Sequence, residues 1–567
     1  MSKRFIICAG AIILIAAVVG GTIGRSRRFR RTVPARGVVS HTQADDIEKD
    51  YNEAVETISD GYAGDIDYER ATQAAIQGML STLDPHSMYF PYNEFKKLKE
   101  DQGSRFYGIG VTIVQHRDGV YIQSAVEGTP AGRLGLRYGD RILEVDGQDA
   151  REWTSEQVSK KVRGGRGEPV TIKVDRAGSE APLDYTIIRD SVPLPSIRNA
   201  YILRPGTGYV GLTGGFQSTS DEELRDAIKK LKGEGMRQLI LDMRGNPGGL
   251  LNQAIDVASE FLPRGQVVVS VRGRTDYSEP IVYKSSGADP EDVPLVVLIN
   301  RGSASASEIV AGAIQDHGRG LIVGETSFGK GLVQHVFQLP FNTGLTLTTA
   351  RYYTPYGRSL QRDYSSGSLY DYYTRHEDEA PPSPVSPTRN SSSPVAQVSP
   401  VPPPPMGPAV KTAAGRVFYG GGGITPDVDV KPLTFSPARI LIAESAFQFT
   451  RRLAAGLVPG LEGYKVEQVQ YGRNPKSGDY PINDRVLEAF RSFVRTDVES
   501  QLTQAQVEQE LDFVKLRLRE EIVTAAFSND AGARVLLDSD PQVMRALEAL
   551  PDAKRLAESV RSGTSQS

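Results

Sequence analysis

One cysteine, one tryptophan and six histidines are all that a chain of 567 residues carries of these three types. The single thiol, Cys8, excludes an intrachain disulfide framework and a cysteine-based zinc cluster. The histidines are scattered and none stands in an HExxH pair, so no metal site and no cofactor is assigned. Charge of one sign is also missing. Lys and Arg number 66 against 69 Asp and Glu, a net of -3, which gives no concentrated basic surface for nucleic acid. Long apolar runs are absent with one exception. Phe5–Ile23 lies between Lys3-Arg4 and a basic stretch at Arg25, Arg27, Arg28, Arg30 and Arg31, and has about the length that spans a bilayer. It predicts an uncleaved signal anchor within residues 1–31. A cleaved signal peptide is the alternative, because Gly20, Gly21 and Gly24 weaken the helix and Ala16-Ala17-Val18 tolerates processing.

The rest reads as soluble and globular, with 39% hydrophobic and 24% charged residues, and it is too long for one ordinary core. Residues 32–103 are predicted helical. Ile47, Tyr51, Val55 and Ile58, then Ala71, Ala75, Ile76 and Met79, recur at intervals suited to one helix face. Residues 104–178 switch to short strands with two helices and a tight Asp146-Gly147 turn. From 179 to 375, apolar strands such as 238–241 and 293–299 alternate with helical patterns at 222–231 and 305–314. That is the signature of a sheet covered on both faces. Pro and Ser dominate 376–412, read as a disordered insertion. The core resumes at 413–435, and 436–567 is predicted mainly helical, most clearly at 484–494, 503–527 and 541–550.

Two segments carry chemistry. Leu295–Ile299 is an apolar strand, followed by Asn300-Arg301-Gly302-Ser303-Ala304-Ser305-Ala306-Ser307-Glu308, a glycine turn that opens a helix. A hydroxyl there stands at the carboxyl edge of a sheet, where helix-start N–H groups face developing negative charge. Alone, the run fits close packing equally well, and spacing leaves Ser303, Ser305 and Ser307 as rivals. Downstream, Phe328-Gly329-Lys330-Gly331 sets one lysine between two glycines. A serine nucleophile needs a base, and burial moves a lysine toward that role by penalising its ammonium form. Gln334 can orient the amine without adding a negative charge. Gly331 after Lys330 breaks the GxxxxGK[ST] phosphate loop, and the serine run is not GxSxG, so nucleotide binding and a hydrolase elbow are set aside.

Together these segments resemble the C-terminal processing proteases, the tail-specific family of bacteria and chloroplasts, whose hallmark is a Ser–Lys dyad. The run 302–308 is similar to the family's nucleophile motif, 328–331 to its base motif, and Arg244-Gly245-Asn246-Pro247-Gly248-Gly249 to the loop beside the nucleophile. The resemblance covers 44–365 and resumes at 415–432. It implies Ser305 as nucleophile, Lys330 as base, Gln334 as its positioning partner, and Gly248 with the Ala306 backbone as oxyanion hole. It also implies a multidomain α/β fold: a mixed-sheet serine protease core, an inserted PDZ domain at 104–178, and helical N- and C-terminal regions. Ser303 and Ser307 then become helix-start packing. Glu308 becomes a salt-bridge partner or a charge near the site, and His86 in Asp84-Pro85-His86 is structural.

Within 104–178, Tyr107-Gly108-Ile109-Gly110-Val111 resembles a PDZ carboxylate-binding loop. Glycine-rich backbone can aim several N–H groups at one terminal carboxylate, and the next strand offers an edge for the peptide to extend. Val158 and Val162 on the second helix are expected in the side-chain pocket, and Arg163 is expected to couple the module to the protease body. The function implied is a serine endopeptidase acting on polypeptides with free C-termini, in the bacterial periplasm or cell envelope, anchored by the N-terminal segment. An adaptor or regulatory protein, and a homodimer through the C-terminal helical region, are further partners to test. Two rivals stand beside it. A non-catalytic PDZ scaffold has no need of Ser305, Lys330 and Gln334, and an esterase has no need of a tail-binding module.

Overall fold

The computed structural model describes residues 41–274, 280–364, 407–412, 415–473, 475–476 and 478–564. The expected signal segment 1–31 and most of the Pro/Ser-rich insertion lie outside them. The chain divides into two compact units, Met1–Ala75 and Ile76–Ser567. In the first, the predicted helix forms as His41–Gly61, and Tyr68–Ser81 begins there and runs across the boundary. No described helix is long and apolar enough to cross a membrane.

In the second unit, the PDZ-like module is a sheet with strand order Val111–His116, Gly119–Ala125, Arg141–Val145, Pro169–Asp175, Leu183–Ile188. Asp146 (φ 50°) and Gly147 (φ 72°) make the predicted tight turn. The module extends past 178, because Leu183–Ile188 pairs antiparallel with Pro169–Asp175 and buries Ile187 in its core. Sequence patterning gave this strand to the next domain.

The larger body is built on a six-stranded sheet in the order Ile197–Arg204, Thr207–Leu212, Gln238–Asp242, Leu295–Ile299, Leu321–Gly324, Val428–Asp429. The first pair is antiparallel and the rest are parallel. Side chains alternate across it. Leu239, Leu241, Val297 and Ile299 face a core that includes residues of helices Ser220–Gly233, Leu251–Ser259 and Ala306–Asp316. Ile240, Val296, Leu298 and Val323 face the last helix, Pro541–Thr564, through Val543, Ala546 and Leu550. The end of the chain therefore covers the second face of this sheet. A second, antiparallel sheet joins Met88–Phe90, Gly344–Tyr353, Val267–Gly273 and Ile281–Lys284, with Leu332–Gln338 also paired to Gly344–Tyr353. Val267–Gly273 thus lies outside the parallel sheet.

The expected C-terminal helices form, with Thr503–Phe527 divided at Glu510 into Gln504–Gln509 and Leu511–Ala526. Their core takes in Tyr121 and Tyr138 of the PDZ-like module. His116 stacks on Phe447 with centroids 3.6 Å apart, and its Nδ1 lies 2.6 Å from Glu444. Arg117 pairs with Asp497, and the Tyr138 hydroxyl donates to Glu521. Ala409–Lys411, in the segment read as insertion, pairs with Val417–Tyr419.

Candidate active site

Three loops leave the carboxyl ends of three neighbouring parallel strands, the edge at which open α/β sheets bind ligands. The first, after Gln238–Asp242, carries 244–249. The second, after Leu295–Ile299, carries the serines. The third, after Leu321–Gly324, carries Lys330. Phe328 N–H donates to the Ser303 carbonyl at 2.9 Å, so the second and third loops touch directly.

The three serines separate by environment. Ser303 is fully buried and its hydroxyl donates to the Met243 carbonyl at 2.8 Å. Ser307 is fully buried and donates to the Asn246 carbonyl at 3.0 Å. Ser305 alone of the three is partly exposed. It sits immediately before helix Ala306–Asp316 with φ 56° and ψ -112°, a sparsely populated conformation for a residue with a Cβ. Strain of this sort costs about 1–3 kcal/mol and persists where the surroundings enforce it, commonly at functional sites.

What enforces it is Glu308, whose side chain is buried against both loops. Its Oε2 accepts from Ser305 N–H (2.8 Å) and Lys330 N–H (2.9 Å), and its Oε1 from the Ser327 hydroxyl (2.6 Å) and Gly329 N–H (2.7 Å). One oxygen atom is thus within hydrogen-bond reach of the backbone nitrogens of both residues of the expected dyad. Burial raises the Glu308 carboxyl above the ordinary range, and its four donors oppose that rise.

Lys330 is half-buried, and burial lowers its amine against the opposing charges of Glu308 and Asp84. Its Nζ donates to Gln334 Oε1 at 2.9 Å, and among the described residues no hydrogen bond joins it to Ser305. Gln334 lies on Leu332–Gln338 and its Nε2 donates to the His86 carbonyl, which turns the amide oxygen toward the lysine. His86 is held in place by Asp84, which accepts from His86 N–H at 2.8 Å, Ser87 N–H at 2.9 Å and the Ser87 hydroxyl at 2.7 Å. The His86 imidazole is pulled down to about 4, first by burial and then by the Lys330 charge. It is neutral where a lysine base would work.

The oxyanion candidates also meet here. A Cβ on Gly248 (φ 97°) would stand 2.7 Å from Ser305 Cβ and 2.9 Å from Ala306 N. Gly248 N–H donates to Asn246 Oδ1 at 2.9 Å, so that donor is engaged inside its own loop. Asn246 is fully buried, and its carbonyl also receives Ala304 N–H at 3.0 Å. Arg244 anchors the start of the loop to Asp242, Asp540 and Gln542.

The expected peptide-binding residues form a separate group. Tyr107 and Gly108 end a strand paired with Asp190–Pro193. Ile109 packs in the module's core, and Gly110 (φ 82°) leaves no room for a Cβ, which would stand 2.3 Å from Thr129. Val111 opens the edge strand Val111–His116, bonded on one side only, to Gly119–Ala125. Val158 and Val162 are buried in the module's core. Arg163 lies over the Phe106 ring at 4.2 Å, beside the strand that leads into the loop.

Sequence reasoning undervalued Glu308 and passed over Asn246. The signal for Glu308 was available in the spacing Ser305-x-x-Glu308, the Ser-x-x-Glu pattern of a helix start. For Asn246 the local signal reaches only Gly248, two residues on; the Leu212 carbonyl, Ala304 N–H and the Ser307 hydroxyl come from other strands and loops.

Residues 206–372 match the model of peptidase family S41, and residues 97–175 match the PDZ domain. The carboxy-terminal-processing protease of Bartonella bacilliformis is 38% identical over 315 residues, covering 55% of this chain and 72% of that protein. The carboxyl-terminal-processing protease of Synechocystis sp. is 34% identical over 297 residues, covering 51% and 69%. A solved photosystem II D1 C-terminal processing protease is 31% identical, with 55% of this chain and 83% of that chain covered and a TM-score of 0.33.

Proposed function

Since this chain belongs to the carboxy-terminal-processing proteases of peptidase family S41, and is therefore a serine peptidase with a PDZ domain, we propose that Ser305 and Lys330 are its catalytic pair. The observation that carries the pairing is the single Glu308 oxygen that binds both backbone nitrogens. Neutral Lys330 takes the Ser305 proton as the hydroxyl attacks the scissile carbonyl, forming the ester bond of an acyl-enzyme. The same amine, now charged, protonates the leaving amine. Water, deprotonated in turn by Lys330, releases the acid product. Gln334 suits this chemistry because it fixes the amine with a neutral acceptor, and burial lowers the proton affinity of that amine. Ala306 N–H, at the start of a helix, faces the developing oxyanion. Gly248 joins it once its N–H leaves Asn246.

The PDZ domain captures the free C-terminus of a polypeptide. Its unpaired Val111–His116 edge accepts an added strand, and the Tyr107–Gly110 backbone receives the carboxylate. Arg163, against Phe106, carries tail engagement toward the protease body. Residues 1–31 deliver the enzyme outside the cytoplasm, as anchor or as cleaved signal. An adaptor remains a candidate partner.

The test is cleavage of one unstructured polypeptide with either a free or an amidated C-terminus, by wild type, S305A and K330A. Both variants are expected to fold and to lose turnover, by about 10²–10⁴-fold for the base. The free terminus is expected to be cut faster. Retained activity in K330A ends the dyad assignment, while equal cutting of the two substrates ends tail capture and leaves the dyad intact.

A further inference from the structure

A recess between the PDZ domain and the C-terminal helices is lined by three guanidinium groups, Arg137 and Arg176 of the domain and Arg451 of helix Pro437–Ala454. It measures about 320 Å³ with its open mouth included, and the short side chains of Ala177, Ala454 and Ala455 leave the space between the arginines clear. We propose that this recess binds a phosphate group, free or carried by a small ester, which ties the PDZ domain to the helices packed on it.

The charges that face one another here call for an anion. Arg176 is matched by Asp140, which it meets through Nε at 2.7 Å and Nη2 at 2.6 Å. Arg451 is matched by Asp175, and its Nε donates to the Gly139 carbonyl at 2.7 Å. Arg137 has no such match. Among the described residues its side chain makes one hydrogen bond, a long one of 3.4 Å to the Val466 carbonyl, and no ion pair. The acids nearby are committed elsewhere. Glu467 pairs with Lys465, and Glu521 accepts from Tyr138 and pairs with Arg517. Three positive charges therefore share two carboxylates in a partly buried recess. Burial, and after it the charge of Arg176, lowers the proton affinity of Arg137. A charge withdrawn from water without a counter-ion is costly. A phosphate group offers acceptors on several sides and suits the planar fork of each guanidinium.

The full chain, in detergent, is titrated with inorganic phosphate by calorimetry at constant ionic strength, with chloride as the balancing anion. Wild type is expected to bind one phosphate per chain and to unfold at a temperature that rises with free phosphate. Bound phosphate should also slow hydrogen exchange in Gly119–Ala125, because Ile122 is hydrogen-bonded to both Gly139 and Asp140 at 2.9 Å. Arg137→Gln removes the unmatched charge and leaves both ion pairs in place. It should weaken phosphate binding at least tenfold without lowering the unfolding temperature in chloride. Lys160→Gln, which removes an exposed charge of the same domain, should bind as wild type does. Glycerol 3-phosphate in a parallel titration separates the two sources. Binding no tighter than phosphate assigns the site to the free anion, and tighter binding assigns it to a phosphate ester. The proposal is overturned if wild type shows no saturable phosphate binding above chloride, if R137Q binds undiminished, or if R137Q and K160Q weaken binding equally, since equal loss means diffuse attraction alone.

Discussion

A buried carboxylate is costly unless its lone pairs are filled, and Glu308 meets that condition with four donors from two loops. Its negative charge also raises the Lys330 amine, against the dominant effect of burial. Glu308→Gln separates the two roles. An amide nitrogen in place of one oxygen faces donors instead of accepting from them, and losing hydrogen bonds to a charged group should lower kcat by about ten- to a hundredfold. Removing the charge lowers Lys330 further. On the proposed dyad, activity requires the neutral amine, so the acid limb of the kcat/KM profile should move to lower pH. A merely structural Glu308 would lose activity with that limb unmoved. His86 supplies a second pH test. Its folded imidazole is held at about 4 against an ordinary 6.5. Between those values the unfolded chain takes up a proton that the folded chain refuses, so stability falls as pH drops through this window. His86→Asn should flatten that part of the slope, measured as urea midpoints at several pH values across the window.

At the level of elements, the geometry of the site rests on turns that hold glycine where a Cβ would collide. Gly248 shows this most directly, since a methyl group there would push on Ser305 and on Ala306 N. Gly248→Ala should lower kcat by about 10²–10³-fold, the usual loss when an oxyanion donor is displaced, with less change in KM. Gly245→Ala is the control. It shares the positive φ (68°) but has open space around its Cβ, so about 1 kcal/mol of stability should go while kcat stays near wild type. The contrast also explains what the sequence made legible. Apolar runs such as Leu295–Ile299 and glycine turns such as Asp146-Gly147 declare themselves locally, whereas Ser305, Lys330 and Gln334 were singled out through the family resemblance of short motifs, since spacing alone left the three serines as rivals. The strand Leu183–Ile188 was missed because its inward side chains alternate with outward ones over only six residues. The Gln334–His86 contact joins positions 248 residues apart, and no periodicity reports that.

Across the molecule, the C-terminal helices join the two functional parts. Pro541–Thr564 covers one face of the catalytic sheet, and Arg244, at the start of the loop beside Ser305, reaches Asp540. Further back, Pro437–Ala454 and Leu511–Ala526 pack on the PDZ domain. Strand Val111–His116 is where these contacts meet the edge proposed to take the substrate tail. Val111 and Ile113 pack toward the domain's own core, whereas Val114 and His116 pack on the C-terminal helices, as strand alternation requires. A peptide added to that strand therefore extends a sheet whose other face is already held by the part of the chain that covers the catalytic sheet. Phe447, fully buried under His116, Tyr121 and Tyr138, is the centre of the contact. Phe447→Ala should cost about 3–5 kcal/mol locally and release the PDZ domain without touching the site around Ser305. A captured tail would then be presented to that site at a lower effective concentration. The expected result is a KM for free-tailed substrate raised about tenfold, a free-to-amidated ratio closer to one, and kcat on a short peptide unchanged. Faster hydrogen exchange in Gly119–Ala125 should accompany it. Unchanged exchange together with unchanged KM would mean that the helices support the protease body alone and leave the PDZ domain to act by itself.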